Sequence, residues 1–192
     1  MLPFDDAPGT VVKQMQRDGG IHMSKLITGL FNEVFDRPYV EANPDDRVRI
    51  QKSTYLLERL GLEVGDYLFL WDTQGPYSLE LRAEVLGEIQ KTESEIKYSQ
   101  FTKEKIESVQ RIIKCGEALG CSEMPWLETI CSLHYLKNYV IATGRDALSA
   151  LEEKKPHLYS SNAPIVNTTA YDIVNTIDNM GCFDDDSNCT IS

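Results

Sequence analysis

Apolar residues along this chain recur mostly at helical spacing, with one interruption near the middle. Leu26, Ile27, Leu30, Phe31 and Val34 fall on one face of an amphipathic helix that ends before Pro38. Ile50, Leu57 and Leu60, with Thr54 between, repeat that pattern and stop at Gly61, which suits a left-handed C-terminal cap. Pro44-Asp45-Asp46 supplies the N-terminal turn of this second helix, with acids where the helix dipole favours them. The period then changes. Residues 67–71 form a short aromatic and aliphatic run that reads as a strand, broken by a Gly75-Pro76 turn. Since 67, 69 and 71 alternate with 68 and 70 and all five are apolar, both strand faces are expected to be covered. Ser78 is the N-cap of a helix over 78–89 that carries Leu79, Leu81, Val85, Leu86 and Ile89. The unit 49–89 thus reads helix, strand, Gly-Pro turn, helix, and the rest of the chain is organised around it.

Downstream, Ile106, Val109, Ile112 and Ile113 form one helical stripe. Trp126 or Leu127, Ile130, Cys131 and His134 form another after Pro125. A short helix over 146–155 is halted by Pro156, and Asn162-Ala163-Pro164 opens a last helix through Ile177. The expected fold is mainly α, of α+β class: a single compact helical domain over 23–180 with a small β-hairpin or wing, winged-helix-like. It holds six or seven helices and one strand, or two if 96–101 pairs with 67–71. Residues 1–22 read as a flexible arm with Met23-Ser24-Lys25 resembling a chain start, and 181–192 as a disordered acidic tail.

Composition narrows the function classes. The chain has 192 residues and a net charge of −11, which repels nucleic acid and anionic lipid at long range. Between Lys91 and Glu107 four Lys alternate with four Glu, a solvated connector rather than a binding patch. Five cysteines without CxxC spacing or a secretory signal read as free thiols in a cytoplasmic protein, and no metal or cofactor is expected. Cys189-Thr190-Ile191-Ser192 fits the loose C-a-a-X form, but the acids at 184–186 would be repelled by an anionic leaflet.

Two groups of residues carry a resemblance. Arg49-Ile50-Gln51-Lys52, Tyr55-Leu56-Leu57, the 67–71 run and Gly75-Pro76-Tyr77-Ser78 resemble the pattern of the uncharacterised YwgA-like proteins of bacteria and archaea. Trp126-Leu127-Glu128, Ser132-Leu133-His134-Tyr135-Leu136 and Lys155-Pro156-His157 resemble its later half. That family is distantly similar to the Panacea (SocA-like) antitoxin domain. Ser53 and Thr54 depart from the pattern, which has apolar residues there, so the resemblance leaves the burial of that helix face open.

No catalytic motif is present, and His134, on an apolar helix, reads as a hydrogen-bonded core residue. The function expected is a non-enzymatic protein-binding regulatory module, antitoxin-like or adaptor-like, whose partner is a toxin or regulatory protein. The alternative is a winged-helix DNA-binding regulator. Its local basic cluster of Arg47, Arg49, Lys52 and Arg59 is nearly neutralised by Asp45, Asp46 and Glu58. The partner-binding residues expected are Gly75, Pro76, Tyr77, Ser78, Arg49 and Lys52, because a rigid Gly-Pro turn presents Tyr77 at little entropic cost.

Overall fold

The first apolar stripe becomes α1 (Met23–Phe35), and Leu26, Ile27, Leu30, Phe31 and Val34 are all buried. The computed structural model describes residues 23–86, 96–141, 144, 146–161 and 164–180. The expected arm 1–22, the 181–192 tail with its C-terminal tetrapeptide, and the first part of the charged connector lie outside the described residues.

Helix α2 (Pro44–Arg59) begins at Asn43, whose side chain accepts from the Asp45 amide, with Pro44 in the first turn. It ends as expected. Gly61 has φ +90°, its amide donates to the Glu58 carbonyl and the Leu62 amide donates to Leu57, so the last carbonyls are satisfied by a Schellman arrangement. Asp46 is wholly buried in the first turn, where Arg37 donates to it at 2.5 and 2.8 Å and the Val40 amide at 3.1 Å. The Arg37 hydrogen bond holds its carboxyl below the usual range and ties the α1–α2 loop to α2.

Strand β1 (Leu70–Asp72) pairs antiparallel with β2 (Gly75–Tyr77), in register Leu70 with Tyr77 and Asp72 with Gly75. Four expectations change here. The partner of the strand is Gly75–Tyr77 and not 96–101, because Ser99 caps a helix through the Thr102 amide and Phe101 is helical. Gly75-Pro76 lies in β2, and Thr73-Gln74 makes the turn. Proline fits because a strand residue presents its N and O on one edge, and the Pro76 carbonyl faces α2 rather than the ladder. Finally, the strand is Leu70–Asp72 rather than 67–71, because only that stretch has a partner to pair with, and only one face of the 67–71 run is covered. Phe69 is buried and Trp71 half-buried, but Leu68 and Leu70 point to solvent, since a lone hairpin has a single helical layer behind it.

Ser78 caps α3 (Leu79–Leu86) by accepting from the Leu81 amide at 3.2 Å. Helices α4 (Gln100–Ala118) and α5 (Glu123–Ile141) follow, then α6 (Ala147–Lys154) capped by Asp146. Pro156 starts α7 (Pro156–Ser161), and α8 (Pro164–Met180) is last, which gives eight helices and two strands among the described residues. At the centre, α5 packs on α2, α4, α6 and α8 while α2 also meets α1 and α4, so these two helices stand at the middle of the packing. Ser53 and Thr54 of α2 are buried with their apolar neighbours. Cys115 is disulfide-bonded, against the expectation of free thiols, because pairing depends on a Cα separation that chain spacing does not carry. Cys131 is a free, buried thiol.

Candidate functional site

The buried face of α2 carries more polar groups than a core face usually does, and two of them, Gln51 and Lys52, reach the hairpin segment. The Gln51 amide brackets the Ser78 backbone, donating to its carbonyl at 3.0 Å and accepting from its amide at 2.9 Å. Lys52, 1% exposed, donates to the Pro76 carbonyl at 2.8 Å. Burial pushes its ammonium down to about 8, partly opposed by the nearby acids Glu128 and Asp72. From the other side, Lys155 donates to the Thr73 carbonyl and to Glu128 at 2.7 Å, and its ammonium lies 5.3 Å over the Trp71 ring. Three carbonyls of the hairpin segment, at Thr73, Pro76 and Ser78, are therefore fastened to the helical layer. Gly75 sits closest to it: with φ +82°, a Cβ there would come within 2.5 Å of Ser132 Oγ. That hydroxyl is buried and has no hydrogen-bond partner among the described residues.

This locking leaves the opposite face of the hairpin in solvent. Leu68, Leu70 and Leu79 are 61%, 55% and 66% exposed, and with Trp71 and Tyr77 they line a groove of about 440 Å³. Tyr77 and Arg82 form one wall of it, and their other side faces a second cleft of about 380 Å³ that Arg47, Gln74 and Tyr39 also line. Exposed leucines in a contiguous patch mark contact surfaces more often than isolated ones do.

A third cleft, of about 480 Å³, opens between α2, α5 and α8. His134 lies at its base, 3% exposed, with Nε2 2.9 Å from Asp178 and Nδ1 2.8 Å from the Tyr55 hydroxyl. Both contacts are met by a neutral ring that donates from Nε2 and accepts at Nδ1. Burial lowers the imidazole to about 4, against the pull of Asp178, and raises the Tyr55 phenol. With both nitrogens occupied, the ring has none free for a ligand. On α2, burial lifts the Glu58 carboxyl to about 7, and its Oε1 has no hydrogen-bond partner among the described residues. Among the described residues no group of three or more His, Cys, Asp or Glu is placed to hold a metal ion, and no helix is long and apolar enough to cross a membrane.

The residues expected to bind a partner are placed unevenly. Gly75, Pro76, Ser78 and Lys52 come together but are buried in the dock of the hairpin. Tyr77 is half-buried on the ridge between groove and cleft. Arg49 is turned away toward α5, with Nε 2.5 Å from Glu123 and Asp46 at 3.3 Å. Leu68, Leu70, Leu79 and Arg82 were not among the expected residues. Period-2 alternation says which residues share a face, but not which face a helix will cover. No protein-family model, curated protein or solved structure matches the chain.

Proposed function

We propose that the chain is a non-enzymatic protein-binding regulatory module, antitoxin-like or adaptor-like, whose contact surface is the outer face of the β1–β2 hairpin. The observation that carries this reading is the exposed leucine patch formed by Leu70 of β1, Leu68 just before it and Leu79 at the start of α3, beside a hairpin whose other face is anchored by buried lysine and glutamine side chains. An anchored surface loses little conformational entropy on binding, which favours affinity per unit of contact. The resemblance to YwgA-like and antitoxin-like proteins supports the same reading. The groups most suggestive of chemistry are buried: Lys52 and Ser132 beneath the hairpin, and His134 at the separate cleft between α2, α5 and α8.

The winged-helix alternative gains from a hairpin that follows a helix. It loses in that Lys52 is beneath the hairpin and Arg49 is held by Glu123, so the helix that would read bases has few cations to offer. Changing Leu70 and Leu79 together to Glu tests the protein-binding reading. The double variant is expected to lose whatever protein co-purifies stoichiometrically with the native chain while keeping its melting temperature, since both side chains are more than half exposed. Retention of the partner by the double variant would overturn it.

A further inference from the structure

Among the described residues most arginines are engaged. Arg37 is held by Asp46 and Arg49 by Glu123 and Asp46, while Arg59 lies over the Tyr55 ring. Arg47 and Arg82 differ. Their guanidinium groups make no ion pair or hydrogen bond among the described residues, yet both line the same cleft beside the hairpin. Asp45, the one acid lining that cleft, is drawn to Arg49 at 3.9 Å. In a chain with 30 acidic and 19 basic residues, two uncompensated cations facing one cleft form a local field opposite in sign to the whole.

The cleft continues into the leucine groove, because Tyr77 and Arg82 line both. The groove carries the other polarity: Asp72 and Glu80 line it, and hydrogen bonds from Glu80's own amide and from the Ser78 hydroxyl at 2.8 Å hold the Glu80 carboxyl below the usual carboxylate range. A carboxylate on a ligand is therefore repelled at the groove end and attracted at the cleft end. Among the described residues the sheet has two strands, with β2 packed on α2 and α5, and an extended segment can add to the edge of such a sheet.

Building on the protein-binding reading above, we propose that groove and cleft together bind an extended peptide of a protein partner. In it an apolar side chain sits against Leu68, Leu70 and Leu79, and an acidic side chain on the cleft side is held by Arg47 and Arg82. The leucines supply non-directional contact area, and the arginines set the register through charge-assisted hydrogen bonds.

Selection of a displayed library of short random peptides on the full chain tests this, followed by fluorescence anisotropy of a selected peptide. The enriched sequences are expected to pair an aliphatic or aromatic residue with Asp or Glu at fixed spacing. Replacing that acid by its amide should weaken binding to the wild type roughly tenfold or more. It should change little on an Arg47→Gln/Arg82→Gln variant, and Leu70→Glu/Leu79→Glu should bind neither peptide. Equal affinity for acid and amide forms overturns the acidic-residue inference and leaves the groove reading standing. Full binding by the leucine variant, or no enriched sequence at all, overturns both. Sedimentation showing self-association of the wild type that the leucine variant lacks would assign this face to a second copy of the chain and overturn the peptide proposal.

Discussion

Lys52 shows how one residue can be costly and still hold a structure together. Its charge is buried, which opposes folding, but it supplies the donor for the Pro76 carbonyl at 2.8 Å. Near neutral pH the desolvation of the charge and the loss of an orphaned carbonyl are of similar size, roughly 1–3 kcal/mol each, so a Lys52→Met variant should differ modestly from wild type there. The pH dependence is more telling. Burial lowers Lys52 from 10.5 to about 8, so between those values the folded chain binds fewer protons than the unfolded chain. Stability of the wild type then rises with pH across that window, and Met has no such dependence. Denaturant melts at pH 7.5 and 10 should show wild type gaining on the order of 2–3 kcal/mol relative to Lys52→Met. A constant gap would contradict the assignment.

Gly75 makes a second residue-scale prediction. Its φ of +82° and the 2.5 Å approach to Ser132 both oppose a side chain. Gly75→Ala should cost about 1–3 kcal/mol. Ser132→Ala alone should be close to neutral, since that hydroxyl has no partner among the described residues. Combined with Gly75→Ala it should recover the steric part and leave the backbone strain. Thermal melts of the two single variants and the double variant, showing no recovery, would place the whole cost in the backbone.

Among the elements, α4 and α5 meet closely enough that a helix rule reverses. Gly116 lies inside α4, where replacing Gly by Ala normally gains about 1 kcal/mol. Here a Cβ would meet the Trp126 ring, whose nearest atoms stand 2.4 Å away. That ring is fully buried and its Nε1 donates to the Ile112 carbonyl at 2.7 Å, so it cannot turn aside without breaking a hydrogen bond. Overpacking of this kind costs typically 1–3 kcal/mol, which outweighs the propensity gain. Gly116→Ala should therefore lower the melting temperature, and an increase would show that α4 and α5 can separate at small expense.

Over the whole molecule, charge decides what can approach. A net −11 and the engagement of Arg49 and Lys52 within the fold leave two uncompensated arginines, Arg47 and Arg82, at one cleft. A cleft that offers a duplex two arginines, set against that overall charge, supplies too few phosphate contacts to hold it near physiological salt. Electrophoretic mobility of duplex DNA should therefore be unchanged by the isolated protein. A clear shift that weakens with salt and vanishes in Arg47→Gln/Arg82→Gln would move the cleft to nucleic acid.

Much of the architecture was legible in the chain itself. The α1 stripe, the Gly61 cap of α2 and the Ser78 cap of α3 are local signals, set by 3.6-residue periodicity and by which side chains satisfy helix ends. They survive because local and tertiary preferences agree there. The residues of Gln51-Lys52, Glu128 and Lys155 were visible as a pattern too, but not their purpose, which needs three helices and a hairpin brought together. Tertiary structure alone decided that Gly75-Pro76 pairs as a strand, that Lys52 is interior, and that Leu68 and Leu70 face water. An alternating apolar strand carries no information about how many layers will cover it. The proposed binding surface follows from that undetermined choice: one helical layer lies behind the hairpin, and the face opposite is left exposed.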